Sequence, residues 1–363
     1  MPEWLPGSGL LKNAGDRAVH AASLIYARAM RLRQNQLLRR AWTAPVPVVS
    51  VGNISMGGSG KTPVCVFLLK HLTAWGQRPV LLSRGYKAKP PQYPHPVHPL
   101  DDPGCSGDEP LMLAQMPGRL RVVVDPSRKR AAGWALRHLS PSVFVLDDGF
   151  QHLRLHRDLD LVLLTDRDLQ EDWDRVVPRG RWREGAQALK RADVFLVNIR
   201  DKSLDEVKNR AAGRLKDFRK PVFFFKVEVN SLQRLGDKIS TDNIQSRPYL
   251  LISAVAGPEK IFSSARDFLG YPPERHLVFP DHHPLDHRAV QEIFQAARKM
   301  GVQDVLCTAK DAVKLRPQAG LNFWTLQTGL MFAENAEENF LDVVRRACSG
   351  IKKQVRPETQ GKA

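Results

Sequence analysis

VVSVGNISMGGSGKTP, residues 48–63, decides how the rest of the chain is read. A valine-rich run stops at a glycine, a Gly-Gly-Ser-Gly loop follows, and Lys61 and Thr62 open a helix. Strand, glycine-rich loop and helix in that order build a phosphate cradle, because the loop amides and the helix N-terminus point their N–H groups at phosphate oxygens. Ser55, Met56, Gly57, Gly58, Ser59, Gly60, Lys61 and Thr62 are the expected nucleotide contacts. In such a loop Lys61 reaches the β- and γ-phosphates and the Thr62 hydroxyl binds Mg²⁺. The general pattern G-x-x-x-x-G-K-[ST] places glycine where this chain has Ser55, and Gly57, Gly58 and Gly60 supply the flexibility instead.

Outward from the loop, short β-branched runs alternate with helical segments. Strands are expected at 46–51, 79–83, 120–124, 142–146, 161–165 and 193–198, with helices at 62–75, 108–115 and 127–139. Continuous apolar runs of this kind are typical of parallel strands buried on both faces. The expected fold class is α/β, a doubly wound and mainly parallel sheet of the phosphate-loop NTPase type. Residues 87–105, rich in proline and histidine, read as a surface loop. A second, smaller α/β lobe is expected beyond residue 200, with strands at 221–229, 249–254, 276–279, 304–308 and 323–326. The domain expectation is therefore an N-terminal helix over 1–44, a phosphate-loop core over 45–200, a closing lobe over 201–348 and a polar, disordered tail over 349–363.

Before the loop, Ala18, Ala22, Ile25, Tyr26, Ala29 and Leu32 recur at helical spacing, among Arg17, Arg28, Arg31, Arg33, Arg39 and Arg40. A basic amphipathic helix of this kind either lies on an anionic bilayer surface or packs on the protein with its arginines in water. The 363 residues carry a net charge of +17, which favours anionic partners without choosing among them. No nucleic-acid-binding signature accompanies the charge, and no nucleic acid partner is expected. No apolar stretch of about 18 residues is present, so no membrane-spanning helix is expected. Nor does the N-terminus read as a cleavable signal peptide. The four cysteines are scattered, without the paired spacing of a zinc or disulfide framework.

Further clusters bear on the chemistry. Residues 144–152 read FVLDDGFQH, an apolar strand ending in two carboxylates, and Asp147 or Asp148 would hold Mg²⁺ beside the loop. Gly107-Asp108-Glu109-Pro110 opens a helix, where carboxylates also serve the helix dipole. Residues 279–283, FPDHH, add histidines suited to proton transfer. Residues 178–184, PRGRWRE, place Arg179, Arg181 and Arg183 either as a clamp on phosphate or headgroup, or as a solvated basic turn. Two other classes compete for the same features. A phosphate-loop kinase or ATPase of another metabolite would show no lipid dependence, and a nucleic-acid binder would ignore ATP.

Taken together, VGNISMGGSGKTP (51–63), LSRGY (82–86), GDEP (107–110), SRKRAA (127–132), DDGFQH (147–152), PRGRWRE (178–184), RADVFLVN (191–198), FPDHH (279–283) and TAKDAVKL (308–315) resemble one family, tetraacyldisaccharide 4'-kinase. PRGRWRE departs from the family's usual proline-leucine version, and Ala309 stands where the family carries glutamate. The resemblance implies an ATP- and Mg²⁺-dependent kinase in lipid A biosynthesis. Its acceptor would be the 4'-hydroxyl of an acylated glucosamine disaccharide 1-phosphate. It implies Asp108 as the base paired with His282, and Arg128 as a neutralising arginine beside Lys61. Metal ligands would be Thr62, Glu109 and Asp147 or Asp148, and substrate contacts would be Gln151, His152, Arg179, Arg181 and Arg183. It further implies a monomeric, peripheral enzyme docked through its N-terminal helix on the cytoplasmic face of a Gram-negative inner membrane.

Overall fold

The computed structural model describes residues 8–116, 118, 120–237, 239–316 and 320–349, with side chains from residue 19 onward. The expected tail after residue 349, and the aromatic start at Trp4, lie outside the described residues. In chain order the elements are helix α1 (Ser8–Arg39), strand β1 (Val48–Asn53), α2 (Lys61–Ala74), β2 (Pro79–Ser83), β3 (His95–Pro96), α3 (Pro103–Ser106) and α4 (Asp108–Gln115). Then come β4 (Arg121–Val124), α5 (Arg128–His138), β5 (Val143–Asp147), β6 (Leu159–Thr165), α6 (Asp166–Leu169), β7 (Val194–Asn198), α7 (Leu204–Leu215) and β8 (Val222–Arg234). The chain continues through β9 (Ser240–Thr241), β10 (Tyr249–Ser253), α8 (Pro258–Leu269), β11 (Arg275–Val278), α9 (His287–Met300) and β12 (Asp304–Thr308). It closes with α10 (Ala309–Ala312), β13 (Asn322–Phe332) and α11 (Glu337–Ser349).

The chain divides into two compact units, each assembled from separated stretches. One takes the chain up to Lys61, residues 140–226, and everything from Phe332; the other takes 62–139 and 227–331.

In the first unit the parallel strand order is β8–β7–β6–β1–β5. Every residue of β1, β6 and β7 is buried, as continuous apolar strands require when both sheet faces are covered. Val51 of β1 faces Asp147 of β5 on one side and Leu161 of β6 on the other. The acidic strand end is thus brought directly beside the strand that feeds the phosphate loop. Ile54, Phe150, Trp182 and Phe195 pack in one core cluster of this unit.

The second unit contains the parallel order β11–β10–β12–β13, and β2 paired in parallel with β4. The two-residue strands β3 and β9 run antiparallel to their neighbours β4 and β8. Helix α9 shows how sequence sets an element's ends. Asp286 accepts from the amides of Arg288 and Ala289, and Gly301 stops the helix at φ 66°. Its Ala289, Ile293, Ala296 and Ala297 face the core while Arg298 and Lys299 sit near the C-terminal end of the helix dipole.

Helix α1 presents a division that sequence periodicity alone left open. Its inward stripe is Ser23, Ala27, Met30, Gln34 and Leu37. Ser23 Oγ donates to the Val176 carbonyl and accepts from the Arg179 amide, both at 3.1 Å. The expected apolar stripe is turned to solvent: Ile25 is 71% exposed, Leu32 66% and neighbouring Leu24 59%. No helix of the described residues is long and apolar enough to cross a membrane.

Candidate active site

The phosphate loop joins β1 to α2, and its geometry follows from close packing beneath it. A Cβ on Gly52 would lie 2.5 Å from the Phe150 amide nitrogen, and one on Gly149 would lie 2.6 Å from Ser50 Oγ. Glycine at both places lets the Asp-Asp-Gly-Phe turn press against the loop strand. Phe150 itself is fully buried, and burying such a ring stabilises its turn by roughly 1.5–3 kcal/mol. Lys61, at the start of α2, lies 3.0 Å from Asn53 Oδ1 and 3.5 Å from Asp148 Oδ1. Asn53 Nδ2 in turn donates to the Ser55 carbonyl at 2.7 Å.

The loop carbonyls are tied down from outside. Arg181 Nη2 donates to Met56 O at 2.7 Å, Arg200 Nη2 to Gly58 O at 2.6 Å, and Asn198 Nδ2 to Ser59 O at 3.2 Å. With its carbonyls engaged this way, the loop keeps amides for an anion. Ser55 also pairs with Trp182 as an isolated antiparallel bridge, flanked by hydrogen bonds from Met56 N to Arg181 O and from Arg183 N to Ile54 O. Trp182 is fully buried, and its Nε1 donates to Asp168. The Pro-Arg-Gly-Arg-Trp-Arg-Glu segment therefore runs alongside the phosphate loop.

Arg183 Nη1 donates to Asp148 Oδ2 and to Gln151 Oε1, each at 2.9 Å, and Gln151 Nε2 donates to Asn53 O at 3.0 Å. Asp148 is thus shared between Lys61 and Arg183, at a left-handed backbone angle of φ 51° that aspartate tolerates. Arg179 points elsewhere, with Nη1 at 3.0 Å from His20 Nδ1 on α1. The amide of His152 bonds the Gly149 carbonyl, closing the turn after β5. Asp147 ends β5. In the first unit, Asp147 and Asp148 at the end of β5 offer carboxylate oxygen, the hard ligand type that Mg²⁺ takes. Among the described residues no three or more His, Cys, Asp or Glu side chains form a metal cage. Mg²⁺ in phosphate-transfer sites is held by one or two carboxylates with phosphate oxygens completing the shell, so this donor set fits it.

The second unit holds the other candidate cluster. Asp108 opens α4, preceded by Gly107 at φ 86°. The approach to it is braced by Asp101, which accepts from Ser106 Oγ at 2.6 Å and lies 2.8 Å from His95 Nε2. Burial opposes the Asp101 charge, but hydrogen bonds from Ser106, the His98 amide and His95 together hold its carboxyl below the usual range. Asp108 Oδ2 meets His282 Nδ1 at 3.0 Å, and Lys310 Nζ lies 3.1 Å from His282 Nε2. That network assigns the proton to Nδ1 and leaves Nε2 as acceptor. Burial, followed by the Lys310 charge, pushes the His282 pKa below the ordinary histidine value, against the opposing pull of Asp281 and Asp108. Its backbone is left-handed, φ 65°, and its amide donates to Ala254 O. The Tyr86 ring packs 5.5 Å from the imidazole. Arg128 starts α5, is 3% exposed, and donates to the Asp125 carbonyl at 3.3 Å.

Asn53, Asn198, Arg200, Lys310 and Lys314 also belong to these clusters; all but Arg200 lie inside the quoted motifs, yet the sequence assigned none of them a role. Asn53 and Asn198 each end a buried apolar run, and that polar residue at a strand tip was the available signal.

The family model described as tetraacyldisaccharide-1-P 4'-kinase (LpxK) matches residues 16–345. A protein of Nitratidesulfovibrio vulgaris named tetraacyldisaccharide 4'-kinase is 42% identical over 318 residues, 85% of this chain and 87% of that protein. A protein of Oleidesulfovibrio alaskensis with the same name is 42% identical over 311 residues, 85% of each chain. The crystal structure of "apo" form LpxK from Aquifex aeolicus in complex with ATP is similar with a TM-score of 0.73 and 30% identity, covering 92% of this chain and 99% of that one. A match of this extent, over a phosphate loop and two acidic clusters, leaves one conclusion: the chain belongs to the tetraacyldisaccharide-1-P 4'-kinase family, kinases that phosphorylate a lipid A precursor at its 4' position.

Proposed function

We propose that this chain transfers the γ-phosphoryl group of ATP to the 4'-hydroxyl of a tetraacylated glucosamine disaccharide 1-phosphate, giving the bisphosphorylated precursor lipid IVA, with Mg²⁺ as its metal. The observation that carries this reading is the placement of Lys61, at the head of α2, between Asn53 and Asp148 at the foot of a glycine-rich loop.

Phosphoryl transfer through a loose transition state depends on positioning and charge neutralisation. The loop amides and Lys61 bind the phosphates. Thr62, Glu109 and Asp147 or Asp148 would hold Mg²⁺, which would supply the remaining charge neutralisation. Asp108 accepts the proton of the sugar hydroxyl as its oxygen bonds to phosphorus, and the bond to the leaving ADP oxygen breaks with its electron pair. His282 orients Asp108, and Arg128 neutralises the transferring group. Arg181 and Arg183, with Gln151, brace the nucleotide end of the site.

The same reading gives α1 a purpose. A monomeric, peripheral enzyme on the cytoplasmic face of a Gram-negative inner membrane must meet a substrate whose acyl chains stay in the bilayer. The exposed Leu24, Ile25 and Leu32, with exposed Arg28, Arg31, Arg33, Arg39 and Arg40, have the composition of an interfacial helix.

The test uses purified protein, micelles of tetraacyldisaccharide 1-phosphate, Mg²⁺ and γ-labelled ATP, with Lys61→Ala alongside. Label in the lipid that vanishes in the variant supports the assignment. ATP consumed without labelled lipid discards the substrate.

A further inference from the structure

Two nitrogen donors, one a neutral imidazole and the other an ammonium, converge on one oxygen of Asp108. His282 Nδ1 lies 3.0 Å from Oδ2, and Lys314 Nζ lies 2.9 Å from the same atom. Oδ1 has no partner among the described residues. The Lys314 side chain is only 2% exposed, and its 2.9 Å approach is a charge contact off the direction of a well-aligned hydrogen bond.

Behind Lys314 stands a second carboxylate. Asp311 is fully buried, with Oδ1 at 3.6 Å from Lys314 Nζ. Asp311 Oδ2 accepts from Thr308 Oγ1 at 2.8 Å and from the Ala254 amide at 3.1 Å. The carbonyl of that same residue, Ala254, accepts the His282 amide at 3.1 Å. One residue, immediately after β10, thus steadies both flanks of Asp108, through Asp311 and Lys314 on one side and through His282 on the other.

An ammonium taken out of water between two carboxylates is a costly arrangement, and a poor source of stability compared with apolar packing. Its geometry serves orientation instead. We propose that Lys314 is a positioning residue for the transfer reaction: its charge holds Oδ2 of Asp108 opposite His282, leaving Oδ1 to face the acceptor hydroxyl. This rests on the reading of Asp108 as the base.

The test compares Lys314→Met, Lys314→Gln, Asp108→Asn and the double variant Asp108→Asn/Lys314→Met with the full chain, using labelled lipid for turnover and equilibrium binding for ATP affinity. Lys314→Met is expected to lower kcat by about ten- to a hundred-fold while KM for ATP moves less than about twofold, a fraction of the whole effect of a general base. Lys314→Gln keeps a donor and should recover part of that loss, which a space-filling role would not require. In the Asp108→Asn background, Lys314→Met should cost nothing further, because a residue acting through another loses its effect when that other is disabled. If Lys314→Met fails to fold, the glutamine variant and the double variant, which buries one carboxylate fewer, carry the test. Turnover within about threefold of the parent in Lys314→Met, with a disabled Asp108→Asn, overturns the proposal alone; a multiplied loss in the double variant does the same. Parental turnover in Asp108→Asn overturns the base reading and this proposal together.

Discussion

Asp108 and His282 stand 174 positions apart in the chain and 3.0 Å apart in the fold, Oδ2 against Nδ1. The pairing explains why an aspartate in the first turn of a helix does more than complement a dipole. Asp108→Ala is expected to keep ATP affinity and lose about 10²–10⁴ in kcat, the usual share of general-base catalysis. His282→Asn should lose less, because the carboxylate remains. Labelled-lipid turnover beside ATP binding checks both, and near-normal turnover in Asp108→Ala removes the assignment.

The depressed His282 pKa makes a claim about pH. Above the ordinary value of 6.5 the imidazole is neutral in both folded and unfolded chains. As pH falls below that value the unfolded chain takes up a proton that folded His282, buried and beside Lys310, resists. Stability contributed by this residue is therefore present above 6.5 and is lost as pH falls through the depressed value. Denaturant titrations between pH 7 and 5 should show a smaller loss in His282→Asn than in the parent chain; equal slopes would contradict the assigned neutral state.

Gly149→Ala tests the packing under the phosphate loop. The added methyl would sit 2.6 Å from Ser50 Oγ and 2.7 Å from Leu146 Cβ, both on buried strands. Overpacking of this kind should destabilise by about 1–3 kcal/mol. A denaturant midpoint unchanged from the parent would show that the turn relaxes freely. ATP affinity should fall as well, since the turn carries Asp148 against Lys61.

The outward stripe of α1 predicts surface binding without a cost in stability. Replacing Leu24, Ile25 and Leu32 by serine should weaken flotation with anionic phosphatidylglycerol vesicles while leaving the melting temperature within a few degrees, because exposed side chains contribute little to folding. Removing residues 1–40 should weaken it as well. Unchanged vesicle binding in both would sink the docking role.

Much of the frame was legible because it rests on local rules. The strands around 79–83 and 304–308 match β2 and β12 end for end, and α4 spans the expected 108–115. Continuous β-branched runs and a helix opening on Asp-Glu-Pro leave few alternatives. The first strand runs from Val48 to Asn53, two residues later than expected, since Pro47 supplies no donor for a central ladder. What stayed hidden depends on contacts that carry no period. Ser55 and Trp182 pair from two irregular segments far apart in the chain, and nothing in either segment alternates. Lys314 lies inside the TAKDAVKL motif, yet its role follows from where Asp108 arrives in the fold. The direction of α1 was undetermined because its inward face is made of Ser23, Ala27 and Gln34, a polar and small stripe that periodicity assigns to water.

The bridge between Ser55 and Trp182 has a thermodynamic consequence. Trp182 contributes backbone to the phosphate loop and an indole to the core, where it packs 5.2 Å from Trp173 and bonds Asp168. A glycine-rich loop left to itself would surrender much of its freedom each time a nucleotide arrived. Here the neighbouring core has already taken that entropy at folding, so capture of the phosphates is left with a smaller ordering cost. Disorder introduced at Trp182 would be felt first as weaker nucleotide affinity at the loop its backbone pairs with.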